Sequence, residues 1–310
     1  MAQFGTVRHF FGTFFGPLDA TAGCVLPFLK MLTPQHNHSE GILGLSKIPG
    51  IAVAVFFSSV AMAFAGRPLS VDDADPVEPR HFEAEAGSAY YRDSSCRHWE
   101  VPLGLTYGLF NDVEAGLGFG GQFERRTETV ESGSGKNCIR ENGIGDLTIG
   151  AKWQFVGETA WCPRQAFAPS VKLPTADEDE GLGSGETDYD LTWIASKDLT
   201  ERMGAHFNAG YSILGEPSGE AVGDVAHYGI ALDYQLTAPL QWIGEVFAEK
   251  ALEHGGGTAV QYNSGLRWCL SDALVCDIAA GSRICGDGTP DFTATAGLTW
   301  TFGFSGQESN

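Results

Sequence analysis

The final stretch of the chain alternates without a break. Phe292, Ala294, Ala296, Leu298, Trp300, Phe302 and Phe304 fall on one face, and Thr293, Thr295, Gly297, Thr299, Thr301 and Gly303 on the other. Side chains of a β-strand point to opposite faces in turn, so the pattern predicts a strand with one apolar and one polar side. A helix would scatter both sets around its axis. Twelve segments between Phe82 and Phe304 follow the same rule, separated alternately by tight turns and longer polar loops. The tight turns are Asn111-Asp112, Gly157 to Arg164, Lys197 to Thr200, Ala238-Pro239 and Ser271-Asp272. The longer loops are Arg92 to His98, Glu124 to Gly143, Pro174 to Glu186, Gly215 to Gly223, Leu252 to Gly257 and Cys285 to Pro290. The segment around Ile243 and Phe247 is noisier, because both residues fall on the polar side.

Two architectures share this pattern. In a water-soluble sandwich or lipocalin-like barrel the apolar side points inward. In a membrane barrel it points to lipid, and the polar side lines the lumen. The polar faces here carry nearly all the ionised residues of the strands, which favours the second arrangement. Aromatic residues also gather near strand ends, among them Tyr90, Tyr107, Trp153, Tyr189, Tyr211, Trp242, Trp268 and Trp300. Two membrane interfaces favour rings at those positions. In a bilayer every backbone polar group must be paired, so the sheet has to close. The predicted fold is all-β: a closed antiparallel transmembrane up-and-down barrel of about 12 strands. A soluble secreted β-sandwich is the alternative.

Upstream lies one apolar run, Gly50 to Ala65, which follows Lys47 and ends in Ala63-Phe64-Ala65. A short apolar core closed by small-x-small residues predicts a secretory signal cut after Ala65. The run is short for a membrane anchor. Residues 1–65 therefore read as an N-terminal extension plus signal peptide, with Met31 a more ordinary start. Residues 66–81 read as a periplasmic lead, 82–304 as the barrel and 305–310 as a C-terminal tail. Repeated apolar runs of ~20 residues are absent, which excludes a helical membrane protein. The net charge of -20 repels phosphate backbones and excludes nucleic acid as a partner. The expected location is the outer membrane of a Gram-negative bacterium. The expected partners there are membrane lipid and lipopolysaccharide, the barrel-insertion machinery and a small-molecule solute.

If the polar faces line a lumen, their side chains set what crosses it. The acidic candidates are Glu83, Glu85, Glu114, Asp146, Asp188, Asp190, Asp233, Glu245 and Asp277. The basic ones are Lys152, Lys172, Arg202, Arg267 and Arg283, with His206 and Asn208 on the same faces. Such a lining sets ion preference along a path. The plainer reading is a network of ion pairs that fills a narrow barrel. The surplus of acids predicts a weak cation preference.

Other motifs say less. Nucleophilic catalysis needs a Ser, a His and an orienting polar group in reach. His206 and Asn208 share a face, but no Gly-x-Ser-x-Gly occurs, and Leu182-Gly183-Ser184-Gly185 only looks similar. A lipid-directed enzyme is thus an alternative, as is a structural or adhesin-like barrel. Gly133-Ser134-Gly135-Lys136 lacks the earlier Gly and the following Ser or Thr of a phosphate loop. The acidic run Asp177 to Glu180 lacks the ligand spacing of a calcium loop and reads as a solvated loop. No pattern calls for a cofactor or metal. Of the 7 cysteines, all but Cys24 lie after residue 65. Export permits disulfides, and Cys96 with Cys138, in adjacent outer loops, is the candidate pair. The sequence does not choose among the connectivities.

Three short stretches carry a family resemblance. Gly145-Asp146-Leu147-Thr148-Ile149-Gly150-Ala151-Lys152, then Val171-Lys172-Leu173-Pro174-Thr175 before the Gly-rich stretch Gly181 to Gly185, then Asn208-Ala209-Gly210-Tyr211 occur in that order. Together they resemble the outer-membrane family named for the MetA pathway of phenol degradation, a group of transporters, over most of residues 80 to 304. The chain departs from the family at Ala176, where a Gly is usual, and in continuing past Phe304. The resemblance implies an outer-membrane protein linked to uptake of aromatic or other hydrophobic compounds. Combined with the lumen reading, it makes passive passage of such molecules the expected function, with no enzymatic step.

Overall fold

The computed structural model describes residues 66–93, 96–129, 136–178, 182–217, 223–253, 256–286 and 289–303, without the side chains of 126–129 and 136–140. Residues 1–65 with the expected cleavage site, the side chain of Cys138, residues 179 and 180 of the acidic run, Phe304 and residues 305–310 lie outside the described residues.

Thirteen strands follow one another. They are β1 (His81–Arg92), β2 (Cys96–Phe110), β3 (Val113–Thr129), β4 (Lys136–Ile144), β5 (Leu147–Val156), β6 (Arg164–Leu173) and β7 (Asp188–Thr200). Then come β8 (Met203–Ile213), β9 (Val225–Thr237), β10 (Leu240–Ala251), β11 (Thr258–Ser271), β12 (Leu274–Cys285) and β13 (Phe292–Gly303). All pairings are antiparallel, and β1 pairs with both β2 and β13, which closes the ring. β3 pairs with β5 through Val113 to Gly118 and with β4 through Gly121 to Thr129. β4 and β5 are therefore two halves of one barrel strand broken at Gly145-Asp146, and the ring is 12-stranded. Closure leaves no edge whose N–H and C=O groups would face hydrocarbon.

The faces sort as the alternation requires. Leu298 is 46% exposed and Trp300 52%, and Ile230, Leu266 and Ile278 also point outward. Glu114, Lys152, Asp188, Glu245 and Asp277 are buried on the inside. An exterior of this kind is stable only against lipid, so the molecule is an outer-membrane barrel with its short turns at the periplasmic end.

Three details differ from expectation. The stretch Glu124 to Gly143 is a ladder for much of its length, since β3 and β4 stay paired as far as Thr129 and Lys136. β7 runs on to Thr200, and the turn falls on Glu201 and Arg202. Arg202 is thus exposed in a turn at the rim of the barrel. Finally, β3 lies between the strands that carry Cys96 and Cys138, opposite Arg126 and Thr127 respectively. Two inter-strand spacings, roughly 9–10 Å, therefore separate the two backbones. Cys285 is disulfide-bonded, and Cys162, Cys269 and Cys276 are free thiols.

Candidate functional site

Residues 66–80 do not lie below the barrel. They run inside it as an extended strap, reached through a sharp reversal at Arg80, whose φ is 66°. Arg80 N donates to Gly108 O at 2.8 Å and His81 N to Glu78 O at 3.0 Å, fixing the corner where the strap meets β1.

An extended segment with no ladder partner leaves its N–H groups unpaired, and burial makes that costly. The lumen wall supplies the acceptors. Glu114 on β3 accepts from Val77 N at 2.6 Å, and Ser196 Oγ on β7 accepts from Ala74 N at 2.9 Å. Glu245 on β10 accepts from both Ser70 N and Val71 N, at 2.9 and 2.8 Å. Gln154 on β5 donates to Ala74 O at 3.0 Å. The Asn208 amide, oriented to suit its neighbours, donates to Asp72 O at 2.9 Å and accepts from Asp72 N at 2.8 Å.

Ion pairs add to these. Lys152 Nζ lies 2.9 Å from Asp72 and 3.5 Å from Glu114. Arg67 reaches Asp277 at 3.3 Å, and Arg267 Nε donates to Arg67 O at 2.6 Å. Arg164 on β6 meets Asp75 at 3.1 Å and Glu158 at 2.7 Å. At that periplasmic rim the hydrogen bond from Lys197, 2.6 Å long, holds the Glu158 carboxyl below its ordinary range.

A smaller apolar contact completes the fit. Leu69 and Val71 pack on Ala231, Ile243 and Phe247, and Ala74 packs on Ala166 and Ile194. These inward apolar residues are the ones that break the alternation of the wall. Inward glycines mark where the strap lies closest. A Cβ on Gly297 would sit 2.4 Å from the Arg67 guanidinium, and one on Gly229 would sit 2.5 Å from Val71.

Toward the extracellular mouth the wall's polar groups pair with one another and with a loop. Lys172 Nζ lies 2.6 Å from Asp188 and donates to Ser184 Oγ at 2.8 Å. Asp190 accepts from Ser212 and Thr192, at 2.7 and 2.8 Å, and meets His227 Nε2 at 2.7 Å. Asp146, at the break between β4 and β5, accepts from Thr175 N and Ala176 N, both at 2.9 Å, while Leu147 N donates to Thr175 Oγ1 at 2.8 Å. The first two sequence stretches singled out above thus form one corner. Glu83 and Glu85 are part-buried on β1, and Thr299 donates to Glu85 at 3.5 Å. Arg283 pairs with Asp291 at the outer mouth.

His206 belongs to a chain of three residues that the sequence reading did not assemble. Its Nδ1 is hydrogen-bonded to Ser196 Oγ at 2.9 Å, and its Nε2 faces Asp233 Oδ2 at 2.8 Å. Gln241 Nε2 donates to the other Asp233 oxygen at 2.8 Å. The order resembles a nucleophile, base and orienting acid. Ser196 is 0% exposed, however, and its oxygen already accepts from Ala74 N. A carbonyl carbon cannot approach it, so in this arrangement the trio fastens the strap. A cavity of about 400 Å³ opens at the periplasmic rim beside Thr200, Arg202, Met203, Asp233 and Gln235.

Comparison with known proteins agrees with this geometry. An outer membrane channel from Pseudomonas putida F1 superposes with a TM-score of 0.62 at 12% identity, covering 74% of this chain and 98% of that one. The NanC porin reaches 0.48 at 11% identity, covering 70% and 98%. At 12% identity the likeness to the Pseudomonas putida channel is one of fold. No curated protein matches the chain in sequence. Residues 65–302 match the family described as "Putative MetA-pathway of phenol degradation", which spans the strap and nearly the whole ring, and the chain belongs to that family.

Proposed function

We propose that this barrel is a passive outer-membrane channel for small molecules, hydrophobic or aromatic ones among them, with the strap setting the resistance of the path. The observation that carries this reading is the composition of the lumen. Its wall is built mainly of hydrogen-bonding and ionised groups around a small apolar patch, and the segment lying in it is held by non-covalent contacts. Solute moves down its own gradient, so no cofactor enters. The family's link to phenol degradation supports the solute class. Lipid and lipopolysaccharide surround the apolar exterior, and the insertion machinery delivers the barrel to them. The lumen holds more acids than bases, which favours cations over anions.

Liposome swelling with uncharged solutes of graded size tests the reading. The barrel is expected to pass small solutes, faster once residues 66–76 are removed. Liposomes that do not swell with either form would contradict it. Lipid hydrolysis through His206 is the competing reading, and the burial of Ser196 speaks against it. Purified barrel is expected to release no fatty acid from phospholipid vesicles. Release that is lost in a Ser196→Ala variant would favour the enzyme.

A further inference from the structure

Gly66 is the first residue after the expected cleavage site, and it lies within the lumen network. Its N donates to Asp72 Oδ1 at 3.2 Å, and its carbonyl accepts from Arg267 Nη2. A Cβ built on Gly66 would stand 3.4 Å from Arg267 Nη2, 3.7 Å from an Asp73 carboxylate oxygen and 3.8 Å from Asp72 Oδ1. The backbone nitrogen of this residue thus meets the Asp72 carboxylate, with Arg267 alongside.

We propose that removal of residues 1–65 is a maturation step that latches the strap: the new Gly66 ammonium pairs with Asp72 inside the lumen. Hydrolysis of the Ala65–Gly66 bond consumes one water, leaves a carboxylate on Ala65 and leaves the protonated amine on Gly66. An amide N–H offers Asp72 one neutral donor. An ammonium offers three donors and a full charge, and charge-assisted hydrogen bonds are roughly twice as strong as neutral ones. In the folded barrel the new amine then holds the strap more tightly than the amide would. Arg267, which holds the Gly66 and Arg67 carbonyls, aims the amine at the carboxylate.

The inference rests on the channel reading, and the test keeps the two apart. Planar-bilayer conductance is compared for four barrels, each shown to be folded by heat-modifiable migration. One begins at Gly66, one carries two added residues before Gly66, one begins at Gly66 with Asp72→Asn, and one begins at Val77 and lacks the strap. The strap-free barrel is expected to conduct most. The extended and Asp72→Asn barrels should each conduct more than the Gly66 barrel. An extended barrel indistinguishable from the Gly66 barrel, beside a conducting strap-free barrel, overturns the latch. If the strap-free barrel is silent, the channel reading fails, and labelling of the α-amine by a water-soluble acylating reagent decides the latch. Labelling at least about tenfold slower in the Gly66 barrel than in Asp72→Asn supports it, as loss of a charge-assisted bond requires, and equal rates overturn it.

Discussion

Asp146 shows how much one side chain can organise. It caps the turn after β6 by accepting from Thr175 N and Ala176 N, and it lies 3.5 Å from Lys172. Hydrogen bonds to an ionised acceptor contribute about 1.5–3 kcal/mol each. Asp146→Ala is therefore expected to destabilise the barrel by about 2–4 kcal/mol, read as a fall in the temperature at which its heat-modifiable band shifts. Asp146→Asn, which keeps an acceptor, should lose less. The residues of this corner were legible in the sequence as a motif. Their geometry was not, because Asp146 and Thr175 meet only once two strands are paired. Ile243 and Phe247 teach the complementary lesson. On their own strand they read as faults in the alternation. Inside the barrel they are buried, at 0% and 4% exposure, under Leu69 and Val71. The fault was a signal that something apolar lies in the lumen, but one strand cannot say what.

The strap itself was invisible to pattern reading. Residues 66–80 show no period-two alternation, and the sequence reads them only as part of a periplasmic lead. Arg67, Asp72 and Asp75 find their partners on β12, β5 and β6, far along the chain. Long-range pairing of this kind leaves no local trace. The strands, by contrast, could be placed closely, since alternation is a local property that the closed sheet preserves. The strap's apolar anchors give it a testable strength. Burial of one Leu or Val side chain contributes about 1.5–3 kcal/mol. The double change Leu69→Ser with Val71→Ser is expected to free the strap. Limited proteolysis of proteoliposomes should then cut within residues 66–80 at least about tenfold faster than in the parent, since ~1.4 kcal/mol is a factor of ten. A barrel cut equally slowly with and without the two anchors would show that the polar contacts suffice alone.

The whole molecule is a ring whose outside and inside obey opposite rules. An arginine on the lipid face near the bilayer midplane costs about 2–4 kcal/mol, whereas lumen positions tolerate charge. Leu298→Arg is thus expected to lower stability by about that amount, and Thr299→Arg, one residue away on the inner face, by much less, in urea titrations of refolding into vesicles. The same asymmetry predicts a reversal potential of cation-selective sign in a salt gradient, because the inner face carries the acid surplus. Everything rests on which face meets hydrocarbon, and the 7 tryptophans report on it directly. Trp99, Trp153, Trp242, Trp268 and Trp300 point outward from strands, Trp193 is part-buried on β7, and Trp161 stands 97% exposed in a turn. The most direct test is tryptophan emission of a Trp161→Phe barrel reconstituted with lipids brominated along their acyl chains. Strong quenching by the brominated lipid and little by aqueous iodide is the result predicted here. Strong quenching by iodide with none by the lipid would mean that the apolar face does not touch the bilayer, and would contradict the account.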